Sequence, residues 1–259
     1  MTDRPANVGV EIRDAVMTVT IDRPEKRNAL SRAVLAELAA AFTDGAGDET
    51  LKAAVVTGAG DKSFAAGGDL RDLERVRTLK DAVAMAEGAK QAFETIRRFP
   101  VPVVAALNGV ALGGGAELAV ACDFRVFAHH ARIGFVQGRL NISTAWGGGV
   151  DLMRLVGPAV GLRLLSRSEL IAGQDAVAIG LGDAAASPGQ PLADLVADFL
   201  EPIKAQAPQA LRAFKAVAMA ARFGAPRADT LRLETETFSE TWVHDDHWAA
   251  AEALLGGKK

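Results

Sequence analysis

Residues 107–123 read LNGVALGGGAELAVACD, and the fold turns on this stretch. Leu107 closes an apolar run, VPVVAAL (101–107), with the length and content of a buried strand; Pro102 suits only its start or edge. Gly113, Gly114 and Gly115 then open a helix, and Glu117 stands one turn in. The first N–H groups of a helix lack an internal partner, and the helix dipole adds partial positive charge there. Glycine lets a ligand approach that backbone closely. Glu117, three residues after Gly114, falls on the same helix face. Such a start can hold an oxyanion, and an oxyanion site beside a carboxylate suits chemistry that passes through an enolate.

Working outward, CDFRVFA (122–128) reads as a strand, and so does AAVVTG (53–58). VGVEIRDAVMTVTI (8–21) alternates around Arg13-Asp14 and predicts a hairpin. Ser31 is placed as an N-cap for a helix through Phe42 that carries Val34, Leu35 and Leu38 on one face. A long helix is predicted over 79–98, and another over 147–156. Strands and helices alternating in this way predict α/β architecture with crossover connections. SPGQP (187–191) breaks the pattern; 192–206, 208–222, 227–241 and 245–256 then all read as helices. The division expected is an α/β core over 1–190 and a helical region over 191–259.

Composition narrows the class. The chain has 259 residues, 49% hydrophobic, enough for a sizeable core, and its net charge of −3 argues against nucleic acid or an anionic membrane as partner. The single cysteine, Cys122, excludes an internal disulfide framework and suits a reducing cytoplasm. The first residues do not read as a signal peptide, and no apolar window predicts a transmembrane helix. The cluster His244-Asp245-Asp246-His247 is better read as a helix cap than as a metal site, since nothing supplies further ligands at a recognisable spacing. Thr57-Gly58-Ala59-Gly60 lacks the helix and third glycine of a dinucleotide fingerprint. Ser143 and Thr144 have no histidine near them in sequence to make either a nucleophile.

A second glycine loop, SFAAGGDL (63–70), follows AAVVTG much as NGVALGGGAEL (108–118) follows VPVVAAL. Ligands gather at the carboxyl ends of parallel strands. The two loops can therefore meet, with the N–H groups of Gly68 and Gly114 forming a two-donor oxyanion hole. For either loop alone, tight turns are the plain alternative.

Together the loops resemble those of the crotonase (enoyl-CoA hydratase/isomerase) superfamily. IDRPEKRNALS (21–31), FAAGGD (64–69), NGVALGGGAELAVACDFR (108–125) and the Trp-Gly-Gly-Gly helix start at 146–149 carry the resemblance, in family order and spacing. It implies a spiral of ββα units with a helical trimerisation region, assembled as a trimer or hexamer. It implies an acyl-CoA substrate, with the thioester oxygen between Gly68 and Gly114 and no cofactor besides the CoA of the substrate. Lys26, Arg27, Ala29, Ala66 and Asp69 match segments that bind CoA in the family. For Lys26 and Arg27 the plain alternative is an exposed, solvated turn. Trp146 is a candidate wall of the acyl pocket, with core packing as its alternative. FSETWVHDDH (238–247), with Phe238 and Trp242, resembles a segment that caps that pocket, partly across subunits.

One departure bears on the reaction. Family hydratases carry two glutamates; one matches Glu117, while Gln137 occupies the place of the other. RIGFVQGRLNISTAWGGG (132–149) is similar to the corresponding segment of ethylmalonyl-CoA decarboxylase-like members. The resemblance and the chemistry together imply decarboxylation of a 2-carboxyacyl-CoA such as methylmalonyl- or ethylmalonyl-CoA, with Gln137 hydrogen-bonding the substrate carboxylate. Hydration or isomerisation by Glu117 alone is the alternative, and a non-catalytic acyl-CoA-binding protein is another. Burial raises the pKa of Glu117 and the helix start lowers it; the sequence leaves the balance open.

Overall fold

The structure is a computed structural model that describes residues 7–256. The strands are β1 (Val8–Arg13), β2 (Val16–Ile21), β3 (Ala53–Gly58), β4 (Ser63–Ala65), β5 (Val103–Leu107), β6 (Val110–Leu112), β7 (Phe124–Phe127), β8 (Arg132–Gly134), β9 (Leu170–Ala172) and β10 (Ala184–Ala185). The helices are α1 (Arg32–Gly45), α2 (Leu70–Leu73), α3 (Leu79–Arg97), α4 (Gly114–Ala121), α5 (Gly148–Arg167), α6 (Gly173–Ala178), α7 (Leu192–Lys204), α8 (Pro208–Arg222), α9 (Arg227–Trp242) and α10 (Asp245–Gly256).

Two sheets organise the chain. The larger runs β1-β2-β3-β5-β7-β10 and the smaller β4-β6-β8-β9. Strand pairs β3–β4, β5–β6 and β7–β8 each send their first strand to the large sheet and their second to the small one before a helix follows. This is the expected spiral of ββα units. The hairpin β1–β2 pairs antiparallel from Val8↔Ile21 to Arg13↔Val16. Asp14 and Ala15 turn it with φ of 49° and 60°, the two successive positive values of a turn whose twist matches that of the strands. Every other pairing in the large sheet is parallel.

Local chemistry starts and stops the helices. Ser31 Oγ accepts from the N–H of Val34 at 3.3 Å, and α1 buries Val34, Leu35, Leu38 and Phe42. Thr78 Oγ1 caps α3 by accepting from Asp81 N at 3.1 Å. The helix begun at Gly148 does not end at 156. Gly157 kinks it (φ 77°, ψ 159°) and the helix resumes through Pro158 to Arg167. Proline has no N–H to donate to the turn before it, so it is tolerated where the kink has already broken the ladder.

The C-terminal helices start at their expected positions and end within two residues of them. The turn at 187–191 separates β10 from α7, but α7 packs Leu195, Val196 and Leu200 against Val55, Val104 and Ala106 of the large sheet. The helical region therefore begins as a layer of the core. No described helix is long and apolar enough to cross a membrane.

Candidate active site

The small sheet sets the site. Ala66–Gly68 follow β4 and Gly113 follows β6, so both glycine loops lie at the carboxyl ends of neighbouring parallel strands. Two buried asparagines tie these loops to the large sheet. Asn28 donates through Nδ2 to Ser63 O (2.7 Å) and Ala59 O (3.0 Å). Asn108 donates to Gly60 O (2.8 Å) and accepts from Gly58 N (3.1 Å). Loop position is thus fixed by side-chain hydrogen bonds where the strands are too short to fix it.

The contact between the loops admits no side chain at key positions. A Cβ on Gly115 would lie 2.0 Å from the carbonyl of Ala65. Gly113 holds φ at 52° at the start of α4, a region that glycine enters without steric cost. Leu30 N donates to Gly67 O (2.8 Å) and Asp69 N to Leu30 O (3.0 Å), leaving the Gly68 N–H between them without a hydrogen-bond partner among the described residues. The N–H of Gly114, first in α4, is likewise without one. These are the donors predicted for an oxyanion hole. The ring of Trp146 touches both positions: a Cβ would fall 2.3 Å from it at Gly114 and 3.2 Å at Gly68.

Glu117 is buried, at 2% exposure. Its Oε2 accepts from the N–H groups of Trp146 and Gly148, each at 2.9 Å, and its Oε1 from Gln137 Nε2 at 2.9 Å. The carboxylate thus faces the start of α5, which closes on it so tightly that a Cβ at Gly148 would come within 2.4 Å of Glu117 Cγ. Burial raises the pKa above the ordinary carboxylate value; the N–H groups of Gly148 and Trp146 and the Gln137 amide pull it down, and burial prevails.

Gln137 opens a one-turn helix after β8 and is itself buried. Its amide nitrogen donates to Glu117, and its Oε1 is enclosed with no hydrogen-bond partner among the described residues. Nε2 carries two N–H donors, one of which goes to Glu117, so the expected bond to a substrate carboxylate falls to the second.

The CoA-binding candidates come together. Lys26, Arg27, Ala29, Ala66, Gly68 and Asp69 line one cavity of about 990 Å³. Asp69 is engaged within it, pairing with Arg23 at 3.0 Å and capping α2 through the N–H of Arg71 at 3.3 Å. Phe238 and Trp242, on α9, do not reach this cavity within one chain. They are half-exposed and cluster with His247 and Trp248. Cys122 is buried and its thiol pushed up to about 12, which leaves it unreactive.

Sequence reasoning missed the ion cluster behind the site. Arg97 Nε donates to Asp151 Oδ2 (2.8 Å) and its Nη2 to the carbonyl of Trp146 (3.1 Å). Arg222 reaches Asp151 from α8 (3.0 Å) and donates to the carbonyls of Val120 (2.6 Å) and Ala121 (3.1 Å), the free end of the helix that carries Glu117. A signal was present: Arg97 lies on the buried stripe of Ala89, Phe93 and Ile96. A cation on an apolar stripe needs a buried partner.

This fold and site match a known class. The enoyl-CoA hydratase/isomerase family model matches residues 11–255. The short-chain-enoyl-CoA hydratase of Clostridium acetobutylicum is 32% identical over 253 residues, 98% of this chain and 96% of that protein. The chain belongs to the enoyl-CoA hydratase/isomerase family. The crystal structure of an enoyl-CoA hydratase from Bacillus anthracis aligns with a TM-score of 0.89 at 28% identity, covering 97% of this chain and 96% of that one. The ethylmalonyl-CoA decarboxylase of Xenopus laevis is 31% identical over 170 residues, 66% of this chain and 56% of that protein.

Proposed function

We propose that this chain acts on an acyl-CoA thioester through an enolate held by Gly68 and Gly114, and that the reaction is loss of CO2 from a 2-carboxyacyl-CoA. The observation that carries this reading is the buried Glu117 carboxylate beside the two glycine loops, with neutral Gln137 bonded to it in place of a second acid. The bond from Cα to the carboxylate carbon breaks, its electron pair moves into the thioester carbonyl, and CO2 departs. No base is needed to start. Protonated Glu117 then gives its proton to Cα, and solvent returns one. Its raised pKa suits a donor. Gln137 contributes by carrying no charge, since a second carboxylate would repel that of the substrate. Lys26 and Arg27 face the phosphates of CoA. The exposed aromatics on α9 favour assembly into trimers, or hexamers, in which Phe238 and Trp242 cap a neighbour's acyl pocket. The single buried thiol suits the cytoplasm.

Hydration of an enoyl-CoA is the second reading. The likeness to the Clostridium acetobutylicum short-chain-enoyl-CoA hydratase over nearly the whole chain favours it. Both readings are tested by incubating the protein with methylmalonyl-, ethylmalonyl- and crotonyl-CoA and following product masses. Loss of CO2 from a malonyl ester, with turnover lowered by about 10²- to 10⁴-fold in Glu117→Gln, is the expected result. Addition of water to crotonyl-CoA without decarboxylation would replace the first reading with the second.

A further inference from the structure

Taking the acyl-CoA reading as its starting point, we propose that Trp146 sets the upper length of the acyl group by closing the oxyanion site off from a second, apolar cavity. That cavity, about 400 Å³, lies between α1 and α3. Leu30, Leu73 and Trp146 line it, together with Met85 and Ala89. The same three residues surround Gly68. Leu30 pairs with it, and a Cβ on Gly68 would meet Leu73 at 3.0 Å and Trp146 at 3.2 Å. Gly68 itself lines the charged cavity, so Leu73 and Trp146 stand between the two spaces.

The indole is held on several sides. Its edge meets Phe93 at a centroid distance of 5.8 Å and an interplanar angle of 78°. Its backbone N–H is bonded to Glu117 and its carbonyl to Arg97. A long acyl chain leaving the carbonyl site therefore meets a fixed ring, while a short or branched one stops before it. Removal of the ring joins the spaces and gives further methylenes an apolar place to go.

Calorimetric titration of free CoA, butyryl-CoA and octanoyl-CoA into the wild type, Trp146→Leu and Trp146→Phe tests this without requiring turnover. For the wild type, affinity rises from CoA to butyryl-CoA and no further. In Trp146→Leu, octanoyl-CoA binds about tenfold tighter or more than it does to the wild type, with butyryl-CoA little changed. Trp146→Phe, which keeps an aromatic against Phe93, gives a smaller gain of the same sign. Adding Gly88→Phe to Trp146→Leu withdraws the gain by filling the cavity, where a Cβ at Gly88 meets nothing within 4 Å. An unchanged chain-length profile in the folded variants, or a gain that survives Gly88→Phe, overturns the inference and leaves the acyl-CoA reading standing. A wild type that binds no acyl-CoA more tightly than free CoA overturns both.

Discussion

At the scale of a residue, Glu117 holds the chemistry, and its burial gives it a testable sign. A carboxyl whose folded pKa is raised stabilises the fold fully below its unfolded value, and that contribution is lost as pH rises through the folded value. For Glu117 the window opens at the ordinary value of 4.5 and extends upward. Chemical denaturation across this range should show stability falling with pH, a slope that Glu117→Gln removes. The same variant should lower turnover by about 10²- to 10⁴-fold, the usual contribution of a positioned acid or base. The direction of the wild-type pH–rate limb separates the two reactions. A proton donor loses activity as pH rises through the Glu117 pKa, whereas a base that activates water gains it. Gly148→Ala drives a methyl group into Glu117; a loss of about 1–3 kcal/mol in stability is expected from such overpacking, read by thermal melting alongside activity. Glu117 and both glycine loops were legible because they sit in short motifs. The bond from Gln137 to Glu117 was not, because nothing in a linear sequence tells which way an amide faces.

At the scale of elements, legibility followed length. β5 is an unbroken apolar run, β3 is one through Val56, and the early hairpin alternates cleanly, so their strands could be read directly. β4, β6, β8 and β9 have three residues each. That is too few for a period to show, and the loops around β4 and β6 are rich in glycine. The small sheet that sets the site was thus invisible as a sheet, while its loops were visible as motifs. The kink in α5 was read as an end for a related reason: Gly157-Pro158 is a stop signal in sequence, and only packing on both sides carries the helix past it. The contact that fixes the start of α5 is itself testable. Asp151 is buried between Arg97 and Arg222, and Asp151→Asn removes their shared buried counter-charge, leaving only the longer pairs with Glu94 and Asp123. A destabilisation of about 3–5 kcal/mol is expected by denaturant titration, together with weaker turnover as the turn at 146–148 loosens its hold on Glu117.

At the scale of the whole molecule, the division of labour between binding and chemistry follows the two sheets and their loops. Lys26 and Arg27 lie in the turn after β2, away from Glu117, and line the broad charged cavity. A Lys26→Ala/Arg27→Ala double variant should raise KM with kcat nearly unchanged, the pattern of binding energy shared equally by ground and transition states. The effect should shrink as salt is added, since exposed charges are screened. Measurement of both constants at low and high ionic strength checks it. The alternating pattern announced the α/β class, and the turn at 187–191 announced the change to helices. The sequence could not show that α8 reaches back to the site, because the pair Arg222–Asp151 joins residues 71 positions apart. That span has a consequence for how the protein is made. A chain leaving the ribosome exposes both glycine loops, Glu117, Gln137 and Arg97 long before Arg222 arrives. Until α8 emerges, Asp151 has only one of its two cations and the far end of α4 lacks its cap. The nascent protein therefore carries its whole reaction centre in an unfinished frame, and a translation product stopped short of residue 222 would hold every residue assigned to the chemistry without the support that sets them in place.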